Sequence, residues 1–219
     1  MEREIKVPLA DGSLQGHLSA LAHPRAWIVF VHGSGSSGRS PRNRMIAKQL
    51  NGLGYSTFLF DLLTPEEDEI AENRFKIPLL TRRLTEATGW LERDPAYHRE
   101  PMIFFGASTG AAAALSAAAL AYRRFPLIAV VSRGGRPDLA REEDLRRVTV
   151  PVLLLVGSLD HDVVDMNFKA QRSLPRSELQ LIPGATHLFE EPGALDQVVY
   201  ETSDWLDRFL PSSSLEGVL

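Results

Sequence analysis

Apolar residues along this chain gather in short runs separated by stretches of helical periodicity. Residues 27–31 (Trp-Ile-Val-Phe-Val), 55–60, 102–105, 127–131, 152–156 and 179–182 are rich in β-branched, aromatic and leucine side chains and are bounded by turn formers. Runs of that length and composition predict strands, most of them buried on both faces. Between them, residues 41–53, 77–91, 111–120, 164–173 and 194–209 carry apolar side chains at helical spacing. Ser40 followed by Pro41 reads as an N-cap and a first helical residue. At the start of the chain, residues 5–9 and 14–21 flank Asp11-Gly12, a hairpin signal. Strand and helix in alternation predict an α/β fold: a mostly parallel sheet, an antiparallel N-terminal hairpin, helices on both faces and no large lid.

Composition narrows the class. The 219 residues suit one domain, expected over residues 1–210, with a frayed tail over 211–219 that begins at Pro211-Ser212-Ser213-Ser214. Hydrophobic residues make up 44% and charged residues 24%, the balance of an ordinary water-soluble globule. The formal charge of −4 gives no reason to expect nucleic acid or an anionic membrane as partner. Without cysteine there can be no disulfide, no thiolate nucleophile and no thiolate metal site. The first residues lack the apolar core of a signal peptide, and no run is long and charge-poor enough to span a bilayer; residues 107–122 come closest. The cytoplasm is the expected compartment.

The stretch with most chemistry is Gly106-Ala107-Ser108-Thr109-Gly110, set between the strand at 102–105 and the Ala-rich helix. G-x-S-x-G in that context holds a serine on a sharp, strained turn, with both glycines bare because a side chain would collide with neighbouring backbone. The competing reading of Ser108 is a helix N-cap. Working groups in open α/β sheets gather at the carboxyl ends of strands. Three more loops lie there: His32-Gly33-Ser34-Gly35-Ser36-Ser37-Gly38, Gly157-Ser158-Leu159-Asp160-His161-Asp162 and Pro183-Gly184-Ala185-Thr186-His187. They offer backbone N–H groups, a carboxylate and an imidazole. A serine hydroxyl needs a base, and histidine oriented by a carboxylate is a suitable one. The chain order Ser108, Asp160, His187 is the order that follows a nucleophile elbow. Asp162 competes with Asp160, and His187 competes with the ordinary reading of a surface loop histidine.

On these four segments the chain resembles the α/β-hydrolase family, and within it the small, lidless dienelactone-hydrolase-like branch, over roughly residues 27–206. The resemblance implies Ser108 as nucleophile, His187 as base and Asp160 as its orienting acid, with the backbone N–H groups of Ser34 and Thr109 as an oxyanion hole. Dienelactone hydrolases carry cysteine as nucleophile, where this chain has serine. The implied activity is therefore hydrolysis of a carboxylic ester or thioester of a small molecule, with lactone cleavage as the alternative. No cofactor or metal is implied, and the expected state is a monomer or homodimer.

Other segments carry weaker signals. His32 reads as structural, buttressing the loop that follows it. His161, between two aspartates, lacks the further ligands a metal site needs. Arg133-Gly134-Gly135-Arg136 follows the strand at 127–131, where a guanidinium, Arg136 above all, could hold an acidic substrate or make a structural ion pair. Arg39, Arg42 and Arg44 pose the same question. Glu66-Glu67-Asp68-Glu69 after Pro65 reads as a helix start. Residues 62–75 and 132–145 are expected to shape the pocket. A rival from another chemistry is the phosphate loop, which Gly33 to Ser40 nearly matches, with Asp61 as a strand-end carboxylate. Against it stand Arg39 in place of lysine and a helix that starts only at Pro41. A third class is a hydrolase fold used only for binding.

Overall fold

The computed structural model describes residues 1–120 and 126–210. The tail expected over 211–219 lies outside them. Eight strands form one sheet in the order β1-β2-β4-β3-β5-β6-β7-β8. They are β1 (Glu2–Leu9), β2 (Gly12–Ser19), β3 (Trp27–Val31), β4 (Ser56–Phe60), β5 (Met102–Ala107), β6 (Leu127–Arg133), β7 (Val152–Gly157) and β8 (Ser177–Ile182). β1 and β2 form an antiparallel hairpin, β2 joins β4 antiparallel, and all later pairings are parallel. The helices are α1 (Pro41–Gly52), α2 (Pro65–Asp68), α3 (Ile77–Leu91), α4 (Thr109–Ala118), α5 (Glu142–Arg147), α6 (His161–Gln171) and α7 (Ala194–Leu206). The expected architecture is the one observed. No helix among the described residues is long and apolar enough to cross a membrane.

The continuous apolar strands make sense because neighbouring residues feed opposite faces. Trp27, Val29, Val31, Phe104 and Leu154 pack with Leu84 of α3 and Ala113 of α4. Their neighbours Ile28, Phe30, Phe105 and Leu153 pack with Ile46 of α1 and Trp205 of α7. Two apolar layers thus sandwich the sheet. All 10 residues of α4 are buried, and its run of alanines lets the helix lie close between the sheet and α3. Ser40 caps α1 through Oγ, which accepts from the Asn43 N–H at 3.4 Å, and Pro41 opens the helix.

Some details depart from the expectations. The hairpin pairs Leu9 with Gly12, so its two-residue loop is Ala10-Asp11, one position before the Asp-Gly signal. Neither loop residue has a positive φ, which excludes the primed turns that Asp-Gly usually marks. The acidic run after Pro65 does start a helix, which is only a single turn long. It is closed by a reciprocal cap in which Thr64 and Glu67 bond each other's backbone N–H. α5 was not expected, although Glu142, Glu143 and Asp144 in its first turn and Arg146 and Arg147 in its last complement the helix dipole. β6 runs two residues further than its apolar core, and this takes Arg133 onto the strand.

Candidate active site

Ser108 is the single residue between β5 and α4. Its backbone sits at φ 49°, ψ −122°, a region costly for any residue with a side chain. The bare flanks make that turn possible. A Cβ on Gly110 would stand 2.1 Å from the Val31 carbonyl oxygen, and one on Gly106 would stand 2.5 Å from the Ala111 Cα. The Ser108 side chain makes no capping bond to α4. Its backbone is pinned instead: the N–H donates to the Arg133 carbonyl at 3.3 Å, and the carbonyl accepts from the N–H groups of Ala111 and Arg136, each at 3.1 Å.

Asp160 lies in the turn after β7, immediately before α6, and His187 in the loop after β8. The structure brings them together: His187 Nδ1 and Asp160 Oδ2 are 2.6 Å apart. The Asp160 side chain is 16% exposed and that of His187 39%, so the acid is sheltered behind the imidazole. Asp162, its competitor, lies exposed in the first turn of α6. With Nδ1 donating to the carboxylate, Nε2 of His187 is left as the free acceptor. Ser108 Oγ and His187 Nε2 make no direct hydrogen bond here, but both side chains line one cleft of about 270 Å³. A larger groove of about 1000 Å³, between β1, α3 and α4, shares no lining residue with this cleft and has no histidine in its walls.

The loop after β3 forms the other wall. His32 is buried and bridges two backbone groups. Its Nε2 accepts from the Leu62 N–H at 2.9 Å, and its Nδ1 lies 2.9 Å from the Gly33 carbonyl. Those partners require a neutral ring with the proton on Nδ1, and burial pushes its pKa below the ordinary histidine value. Asp61 holds the same loop by accepting the Gly38 N–H at 2.7 Å. Thr109 opens α4, so its N–H has no partner within the helix. The Ser34 N–H donates to Thr109 Oγ1 at 2.8 Å. The two expected oxyanion donors are therefore neighbours, with one of them occupied by the other's hydroxyl. Arg39 is exposed, and both it and Ser40 precede α1 rather than lie in its first turn, where a phosphate loop would need them.

The arginines are sorted differently from the sequence reading. Arg136, the expected substrate contact, forks onto Asp138 at 2.9 and 2.7 Å and does not line the cleft. Arg42 and Arg133 do line it. Arg42 pairs with Glu190 at 2.6 Å, both partly exposed. Arg133 is only 7% exposed and has no carboxylate partner among the described residues. Arg44 approaches Glu4 at 3.6 Å, away from the cleft. His161 is exposed at the start of α6, and among the described residues no group of three or more His, Cys, Asp or Glu side chains gathers as a metal site would need.

Comparison with known proteins places this geometry in context. A profile of the alpha/beta hydrolase domain matches residues 24–204. A solved dienelactone hydrolase from Anabaena variabilis is 45% identical, superposes with a TM-score of 0.88 and is covered over 98% of its length by 96% of this chain. Est1E from Butyrivibrio proteoclasticus superposes at 0.77 over 93% of this chain and 97% of its own, but at 14% identity that likeness is one of fold. A Mycobacterium tuberculosis H37Rv protein, whose name assigns it provisionally to the phosphoribosyl transferases, is 50% identical over 205 residues. That match takes in 93% of this chain, which spans only 46% of the mycobacterial protein.

Proposed function

Because the chain belongs to the α/β-hydrolase family, in its dienelactone-hydrolase-like branch, we propose that it is a serine hydrolase that cleaves a carboxylic ester or thioester of a small substrate. The observation that carries this reading is the convergence on one cleft of a strained Ser108 with an uncommitted side chain and a His187 already held by Asp160. In this scheme Ser108 Oγ attacks the carbonyl carbon while His187 Nε2 takes the hydroxyl proton. The developing oxyanion receives the Thr109 N–H and the Ser34 N–H, the latter exchanging Thr109 Oγ1 for the substrate oxygen. His187 then gives its proton to the departing alcohol or thiol, which leaves Ser108 acylated. Water attacks the acyl-enzyme by the same route in reverse, with His187 again as base, and releases the acid. Asp160 keeps the imidazole in the working tautomer and stabilises its cation.

The Anabaena relative supports a lactone, a cyclic ester, as the second form of the same reaction. The transferase name of the mycobacterial relative we refer to the half of that protein outside the match, because the matched half aligns with nearly all of this hydrolase-fold chain. Turnover of p-nitrophenyl esters of graded acyl length, of acyl-CoA thioesters and of simple lactones tests the reading, with the Ser108→Ala variant as the control. Absence of turnover across all three classes contradicts it.

A further inference from the structure

The cleft contains a charge that the hydrolytic scheme does not use. Arg133 ends β6 opposite Ala107 in the register with β5, next to the nucleophile. Its side chain enters the layer shared with α1 and lies in the cavity wall beside Ser108 and His187. One hydrogen bond reaches it, from Nη2 to Asn43 Oδ1 at 3.3 Å, and the guanidinium lies over the Phe189 ring at 5.5 Å. Nε has no acceptor, although a guanidinium offers five N–H donors. Burial, with the charge of Arg42 beside it, lowers its pKa to about 10, so it remains a cation at neutral pH. A buried cation with no counter-charge is costly in a fold that needs it only for packing.

Other groups on that wall also suit an anion. The cleft is also lined by Arg42 and by the hydroxyl residues Ser34, Ser36 and Ser40. Ser40 caps α1, a helix of 12 residues, so the positive end of its dipole opens on the same space. We propose that Arg133 anchors a subsite for a phosphate group carried by the substrate, which would make the physiological ester an anionic, phosphate-bearing one. A carboxylate has two oxygens and is satisfied by one fork. Two guanidiniums and three hydroxyls supply more donors than that, and the three terminal oxygens and double charge of a phosphate monoester match them better. Arg42 already shares its charge with Glu190, so Arg133 contributes most of the charge discrimination.

This inference rests on the hydrolase reading, and its test separates the two. Three matched p-nitrophenyl esters, whose acyl chains end in methyl, carboxylate or phosphonate, are compared after correction for uncatalysed hydrolysis. For the wild-type protein the phosphonate ester should exceed its methyl counterpart in kcat/KM by about 10²-fold, chiefly through KM. That ratio should collapse in Arg133→Met and be partly retained in Arg133→Lys. Inorganic phosphate should compete with the methyl ester on the wild-type protein, a measurement that needs no variant. A preference for the methyl ester, or a ratio unchanged in Arg133→Met, overturns the subsite; a preference for the carboxylate ester overturns its assignment to phosphate. If no ester is turned over, the hydrolase reading fails instead. Calorimetric titration with inorganic phosphate then decides the subsite: binding by the wild type that is lost in Arg133→Met sustains it, and no binding overturns it.

Discussion

His187 Nδ1 lies 2.6 Å from Asp160 Oδ2, while Asp162, two residues on, is exposed on α6. The pair has one chemical consequence. A carboxylate accepts the Nδ1 proton and leaves Nε2 free to take another. An amide at the same place can present its own N–H to Nδ1 and drive the ring proton to Nε2, which disables the base. Asp160→Asn should therefore lower kcat by roughly 10⁴-fold, and Asp162→Asn by a small factor. Steady-state rates of the two variants on one ester check this; a reversed order would make Asp162 the acid.

His32 should make stability sensitive to acid. Its folded-state pKa lies below that of an unfolded histidine because burial disfavours the charged ring. The unfolded chain therefore binds the proton first. The contribution of His32 to stability is present above the ordinary histidine value, about 6.5, and is lost as pH falls from there toward the folded value. His32→Gln keeps a donor and an acceptor but does not titrate. Urea midpoints measured at neutral and mildly acidic pH should show the wild-type advantage over the variant shrinking in acid. An advantage that grows in acid would contradict the neutral ring.

Arg83 ties the capped turn after Pro65 and the N-terminal hairpin to α3. It is buried on α3 and meets Glu67 of the capped turn at 2.5 Å, Glu86 at 2.9 Å and Asp11 of the hairpin at 3.1 Å. Arg83→Met leaves Glu67 unpaired where its side chain is only 18% exposed, and should cost about 3 kcal/mol of unfolding free energy. Adding Glu67→Gln should return part of that loss. A single variant within about 0.5 kcal/mol of the wild type would show the network to be merely a surface one.

Much of the scaffold was legible because its signals are local. The apolar runs at 27–31 and 152–156 coincide with β3 and nearly all of β7, since a strand buried on both faces must be apolar throughout. Ser40-Pro41 located the start of α1 for the same kind of reason. Ser108, Asp160 and His187 could be picked out as candidates because each lies just beyond the carboxyl end of a strand, on the same edge of the sheet. Arg133 was harder. Its polar character closed the predicted strand at residue 131, yet sheet pairing carries the backbone two residues further and turns the guanidinium into the cleft. Only tertiary geometry separates it from Arg136, which is neutralised by Asp138. Occupation of the Ser34 N–H by Thr109 Oγ1 is likewise a contact between distant residues that no local pattern announces.

The account stands or falls on Ser108 as a nucleophile. Intact-mass measurement after exposure to a fluorophosphonate, followed by peptide mapping, tests it most directly. One adduct per chain, located on Ser108 and absent from Ser108→Ala, is the predicted result, together with a fall in ester turnover of about 10⁴-fold or more in that variant. The variant should remain folded, because the hydroxyl makes no capping bond that its loss would remove. Labelling that persists in Ser108→Ala, or an unlabelled wild-type protein that still turns over ester, would contradict the account.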